Sequence, residues 1–374
     1  MGNNFFVSNN AFVENNDIWM LTNKTNTLCH FSFPDMKFLA HYELPTERII
    51  EYGYLSIAKI QQFIYVIPFV WEDIYKVDTE TGKTICIKVP YLDGDNGKYG
   101  KFKIVCSYGD KLLLIGHAVK GLFIVDNNGI RIKTDLYDTL EKMGIYSTTE
   151  DIWFSDCHVV IDNVIYVPVF HSGYIVSIDI DTEEFEIYQI NKNVRIRTID
   201  VVDKEKRVFF FTTMNDEMIV WSVDDGIVES RKLNLLDSSE KYYMNALFVE
   251  NKMYYIAACE RKVFVEKDQE VNVIPFDYPE EDALPEPNQQ FTATFRTEKD
   301  IYFQVRSNGA LFRIDTLKDT ITQVEFDIDE SDKKIMIEKA FEGKRIDRII
   351  EEKSWFTLNN YINIITEINS MIAR

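Results

Sequence analysis

The chain has 374 residues, 46% of them hydrophobic, 27% charged and 14% aromatic. These are globular proportions, which exclude a disordered or fibrous chain, and the length allows a large core or two domains. With 61 acidic against 41 basic residues the formal charge is −20. Such a surface repels phosphate backbones and anionic lipids, so neither nucleic acid nor a membrane is an expected partner.

The first ten residues, MGNNFFVSNN, have no basic or apolar segment of a secretory signal, and Phe6 stands where a myristoylation site needs Ser or Thr. No run approaches the ~18 apolar residues of a membrane span. The cysteines, Cys29, Cys86, Cys106, Cys157 and Cys259, are scattered, odd in number and without CxxC spacing. Reduced thiols in a cytoplasm are the expectation.

From Asp17 onward one phrase recurs, beginning again at Phe63, Leu112, Val164, Val208, Met253 and Asp300. Its third residue is large and apolar each time: Trp19, Tyr65, Leu114, Tyr166, Phe210, Tyr255 and Tyr302, spaced 44 to 52 residues apart. A period of this length marks a repeat architecture. Each unit holds four strand-like runs; in the second they are LSIAKI, FIYVIPF, DIYKVD and TICIKV. The second run is apolar on both faces, as a strand covered on both sides must be, and the fourth alternates, as a half-exposed outer strand does. Between the third and fourth runs lie DTETG, DNNG or DDG, in which Gly accepts positive φ and Asp or Asn bonds to its own backbone. Seven such units, none able to bury its own faces, stack radially into an all-β, seven-bladed β-propeller of four-stranded antiparallel blades.

Two phrases resemble known propeller repeats. IYKVDTETGKTI resembles the quinoprotein-type repeat, and IVWSVDDG is similar to a WD-repeat strand end. The resemblance covers residues 5 to 328 and is to the propeller superfamily as a whole; it implies no particular functional family. NNAFVENNDIWML, from Asn9, echoes MNALFVENKMYYI, from Met244. The first unit therefore begins with its own inner strand, and closure of the ring by exchanging strands between the termini is not evident.

The domain reading is a propeller over 1–328 and a helical tail over 329–374. The tail reads as a helix around 333–342, a shorter one marked by Ile346, Ile349 and Ile350 beyond Gly343, and a last helix capped by Thr357. Leu358, Tyr361, Ile365, Ile368 and Ile372 form one stripe of that last helix. These helices are expected to dock on the propeller, with dimerisation or partner docking as the alternative.

Loops joining second and third strands lie on the same face as the blade-to-blade connections, and the long loops of this chain belong to that face. Pro90–Lys101 is Gly-rich, Thr134–Trp153 holds a short helix ending before Gly144, and Phe276–Gln290 is acidic and Pro-rich. His117 and His171 fall in equivalent loops of units three and four; His158 opens the inner strand of unit four beside Asp156 and Cys157. Together they suit a metal site or an acid–base pair, although surface or hydrogen-bonded histidines are the plainer reading, and no HxH or HExxH spacing supports a metal. Arg195 and Arg197, two apart and so on one strand face, suit a carboxylate or phosphate ligand, or a solvated or acid-paired role. Phe69, Trp71, Trp153, Phe170, Tyr242 and Tyr243 belong near the same face and suit sugar stacking, peptide contact or blade packing. DGDNG at Asp93 puts Gly97 at a calcium ligand position and reads as a turn. No metal site and no cofactor is expected, since no phosphate loop, dinucleotide fingerprint, GxSxG or zinc spacing is present.

The functional expectation is a non-catalytic binding or scaffold propeller that recognises a protein or glycan through its loop-rich face. The alternative is an enzyme acting on a sugar or peptide at the mouth of the central channel. Three convergent polar side chains of perturbed protonation in one pocket favour the enzyme; an aromatic rim without them favours the scaffold.

Overall fold

The aromatic and β-branched runs pair as antiparallel meanders, each joined by tight turns. At the tip between third and fourth strands, Asp78 Oδ1 accepts the Glu80 and Thr81 N–H groups at 3.0 and 3.2 Å. Asp179 does the same for Asp181 and Thr182, and Asp315 for Leu317 and Lys318. These Asx turns are why the Asp-Thr phrase recurs. The computed structural model describes residues 6, 8–23, 25–50, 53–145, 152–239, 241–278 and 289–346. In it seven four-stranded sheets, each ordered in sequence from inside to outside, form a seven-bladed β-propeller. The inner strands are Ser8–Glu14, Tyr54–Ile60, Phe102–Tyr108, Val159–Ile161, Ile196–Asp203, Tyr243–Val249 and Phe291–Arg296.

The core is divided among seven apolar clusters, one per blade-to-blade interface. A blade has two apolar faces, and each must meet a neighbour to leave water. The recurrent large residues are all buried, but two were aligned one residue late. Trp19, Tyr65, Tyr166, Phe210 and Tyr302 face the next blade, whereas Leu114 and Tyr255 face the preceding one. The true equivalents are Leu113 and Tyr254, counted from the turn that starts each second strand. In a strand a slip of one residue exchanges the faces.

Helix α1, Asp135–Lys142, inserts Leu136, Tyr137 and Leu140 into the cluster between blades three and four, with Trp153 and Phe154 beside it. Tyr137 donates to Gly116 O at 3.1 Å, and Gly144 at φ +67° follows the helix.

The ring closes without sharing a sheet. Gln304, fully buried in blade seven, accepts Ser8 N–H at 2.7 Å and donates to Phe6 O and Gly309 O at 2.8 and 2.9 Å. Beyond blade seven the chain crosses onto blade one. Asp327 exchanges backbone bonds with Phe38 and Met36, and helix α2, Glu330–Phe341, packs Met336, Ile337 and Ala340 against Cys29, Phe31 and Met36. Ile346, expected in a short helix, instead pairs in parallel with Ile49. It follows Gly343 at φ +67°, where the helix has already ended. Ile349, Ile350, Thr357 and the stripe Leu358, Tyr361, Ile365, Ile368 and Ile372 lie outside the described residues.

Gln304 holds two backbone groups of the N-terminal segment, and a buried polar group left unpaired costs about 1–3 kcal/mol. Gln304→Ala is therefore expected to lower unfolding stability by on the order of 3 kcal/mol, against less than about 0.5 kcal/mol for Gln323→Ala on the exposed outer strand. Denaturant midpoints measure both; equal small effects contradict this account of closure.

Candidate ligand-binding site

Six of the seven inner strands carry a β-bulge at the same end. The pairing shifts between Ser8 and Ala11, Tyr54 and Ser56, Phe102 and Ile104, Ile196 and Thr198, Tyr243 and Asn245, and Phe291 and Thr294. A bulge adds one residue opposite none, and re-aims it. The added residues include Leu55, Lys103, Arg197 and Met244. The carbonyls of Lys103 and Arg197, and that of Ser8 at the edge of its own bulge, find hydroxyls on the preceding blade. Ser56 Oγ donates to Lys103 O at 2.8 Å, Ser155 Oγ to Arg197 O at 2.9 Å and Thr292 Oγ1 to Ser8 O at 2.8 Å.

Blade four goes further. Phe154 pairs with Val169 and Val159 with Tyr166, so five steps on the inner strand oppose three on its partner. Two extra residues push Asp156, Cys157 and His158 out of the ladder and into the channel, beside the interface that α1 enters. They line a cavity of about 580 Å³ together with Leu55, Lys103 and Met244. Arg197 grips Asp156 through Nη1–Oδ1 at 2.8 Å and Nη2–Oδ2 at 3.5 Å, and Lys103 Nζ lies 3.6 Å from Oδ2. The Arg197 guanidinium sits 5.4 Å from the Tyr242 ring. At the rim Phe69 and Tyr99 meet edge to face at 5.0 Å, and Tyr99 is 44% exposed.

Burial works against the Asp156 carboxylate, but the Arg197 and Lys103 charges outweigh it and hold its pKa well below the usual range. His117, buried and beside Lys103, is held well below its ordinary value and stays neutral. Burial pushes His158 down to about 4, against the pull of Asp156. Burial and the Asp156 charge push the Cys157 thiol up to about 12. His158 and Asp156 keep some contact with the channel while protein encloses them.

The structure brings together Asp156, Arg197, His158 and, just beneath the rim, His117. The His117 amide donates to Lys101 O, its carbonyl accepts Trp153 N–H, and Phe170 lies edge-on to its ring. His171 stacks on the far side of Phe170 at 3.9 Å. Arg195 parts from Arg197: it is exposed just before the strand, and the bulge at Arg197 breaks the alternation that two-residue spacing implies. Trp153 is 2% exposed in the core between blades three and four, packed on Tyr137 at 4.8 Å, and offers no ligand surface. Trp71 packs at the interface of blades one and two under Arg48, away from the cavity lining. Tyr243 is buried against Asp216. Asp93–Gly97 is a turn whose buried Asp95 accepts Lys120 N–H at 3.0 Å.

Lys103, Met244, Tyr99 and Asn245 were not singled out in the sequence, yet they line the cavity. Aligning the units on their inner strands puts Lys103, Met244 and Leu55 at the position of Arg197, the signal that was available. Also missed were Asp200 and Arg296. Asp200, 1% exposed, pairs with Arg296 and accepts Phe248 N–H at 2.7 Å, linking three blades across the lower channel.

No protein-family model matches the chain, and no curated protein matches it in sequence. Solved structures share its arrangement. A streptogramin B lyase structure is 12% identical, covers 76% of this chain and 86% of its own, and has a TM-score of 0.53. Kluyveromyces lactis Hsv2 is 9% identical over 83% and 94%, with a TM-score of 0.53. The Cps50 (Swd1) β-propeller domain of Myceliophteria thermophila is 8% identical over 82% and 96%, also at 0.53. The likeness is one of fold.

Between the ordinary histidine value of 6.5 and about 4, the unfolded chain binds a proton that folded His158 does not. Stability therefore falls as pH falls through that window. His158→Gln is expected to flatten the loss, measured as melting temperature from pH 7 to pH 4; an unchanged slope contradicts the enclosed setting of His158.

Proposed function

We propose that the protein is a non-catalytic binding module that recognises a protein or glycan through its loop-rich face and the mouth of the channel. The carrying observation is the direction in which the rim groups are perturbed. A general acid or base works best with a pKa near the operating pH. Here Asp156 is driven down, His158 down and Cys157 up, each away from neutrality. The convergence of polar groups that favours an enzyme is met in number, but its electrostatics fix charge states rather than ready a proton for transfer.

The enzyme reading keeps one supporting observation: Asp156, His158 and Lys103 line a single cavity. The neighbours in fold do not choose between the readings, because propellers host both kinds of site. A cytoplasmic location is part of the proposal, supported by cysteines that are scattered, odd in number and without CxxC spacing.

The test is an array of oligosaccharides and peptides scored twice, for bound ligand and for chemical change by mass spectrometry. Reversible capture of an intact ligand, weakened at least about tenfold by Tyr99→Ala through lost ring contact, is the expected result. Turnover of a ligand that disappears in His158→Gln overturns it in favour of the enzyme.

A further inference from the structure

The channel reverses the charge of the protein. The whole chain carries 61 acidic and 41 basic residues. Among the described residues that line the cavity, four are cationic, Lys103, Lys204, Arg296 and Arg306, and two are acidic, Asp156 and Asp200. Asp200 is taken up by Arg296, and Asp156 is shared between Arg197 and Lys103. Two cations thus meet one carboxylate at the mouth. Low-dielectric walls focus such a surplus and draw anions from a surrounding field of the opposite sign.

The neutral lining adds a second requirement. Asn10, Ser56, Asn245, Gln289, Thr292 and Thr294 all face the cavity. Asn10, Asn245, Gln289 and Thr294 both donate and accept, which suits vicinal hydroxyls, while Ser56 and Thr292 give their protons to Lys103 O and Ser8 O and offer lone pairs alone. Asn245 uses Oδ1 on Ala246 N–H and keeps its amide donors, and the buried Thr294 Oγ1 has no hydrogen-bond partner among the described residues. A ring platform stands at the entrance, where Lys103 Nζ is 5.9 Å from the Phe69 ring and Tyr99 lies against that ring. The volume of about 580 Å³ falls within the ~300–1,000 Å³ of small-ligand sites.

Resting on the binding-module reading, we propose that the channel mouth binds an acidic saccharide. Its carboxylate meets Lys103, its hydroxyls meet the amides and hydroxyls of the inner strands, and one ring lies against Tyr99. Arg197 is a positioning residue, since it holds Asp156 and leaves Lys103 only a loose 3.6 Å contact to that carboxylate. An acidic peptide would use the cations but set the amide and hydroxyl side chains of Asn10, Asn245, Gln289 and Thr294 against methylenes.

The test is titration calorimetry on the full chain with trigalacturonate, trimannuronate and sialyllactose, their methyl esters, and tetraglutamate. At least one acidic saccharide is expected to bind more tightly than about 1 mM, and its neutral ester about tenfold or more weaker. Lys103→Gln is expected to lose that acid preference while still binding the ester, Lys103→Arg to retain it, and the exposed Arg195→Gln to match the parent. Melting curves confirm that each variant is folded. Failure of every acidic saccharide to outbind its ester overturns the proposal. Binding of tetraglutamate alone overturns it too, and leaves the binding module standing. Cleavage of a bound acidic saccharide sinks the binding module and leaves the ligand class in place.

Discussion

The bulge at the mouth-side end of the inner strands is the feature on which the site depends. An uninterrupted ladder alternates side chains between the two blade faces and sends both sets into the apolar interfaces. One added residue per strand breaks that alternation where the channel opens, and Lys103, Arg197 and Met244 become available to it. The carbonyls of Lys103, Arg197 and Ser8, at three of these bulges, are held by Ser56, Ser155 and Thr292 from neighbouring blades, so the bulges also tie the ring together. Blade four, with two extra residues, supplies Asp156, Cys157 and His158 to the cluster.

Charge placed this way must be compensated, because an unpaired ion in a low-dielectric setting is costly. The upper channel does so with Asp156 between Arg197 and Lys103, and the lower channel with Asp200 between Arg296 and the Phe248 amide. The two clusters differ in balance. Burial dominates at Asp200 and raises its pKa, whereas the two cations dominate at Asp156 and lower it. The mouth is thus the end with cationic capacity to share with a ligand.

The architecture was legible because it is written in short-range chemistry: Asp-Thr turns, second strands apolar on both faces, and a period of one blade. Leu114 and Tyr255 show the limit. Leu112–Ile115 and Met253–Ile256 are apolar throughout, so nothing local marks which face a residue takes; only the turn before the strand sets the count. The site was legible in part. His158 and Asp156 are visible as scarce polar types at the start of a blade, whereas the sequence leaves Trp153 open between ligand contact and blade packing, and its place beside α1 decides for packing. Arg195 was joined to Arg197 by a period-two rule that a bulge suspends. Lys103 carries no unusual local signal, and its role arises from blades three, four and five meeting in space.

The coupling between Asp156 and Arg197 tests this account most directly, because the two residues leave their ladders in different blades and meet only if both bulges form. A double-mutant cycle with Asp156→Asn, Arg197→Gln and the double variant, read as unfolding free energy at neutral pH, measures it. The account predicts a coupling of about 1–3 kcal/mol, as expected for a hydrogen-bonded charge pair within one network. Additivity within about 0.5 kcal/mol, the behaviour of independent sites, would contradict it.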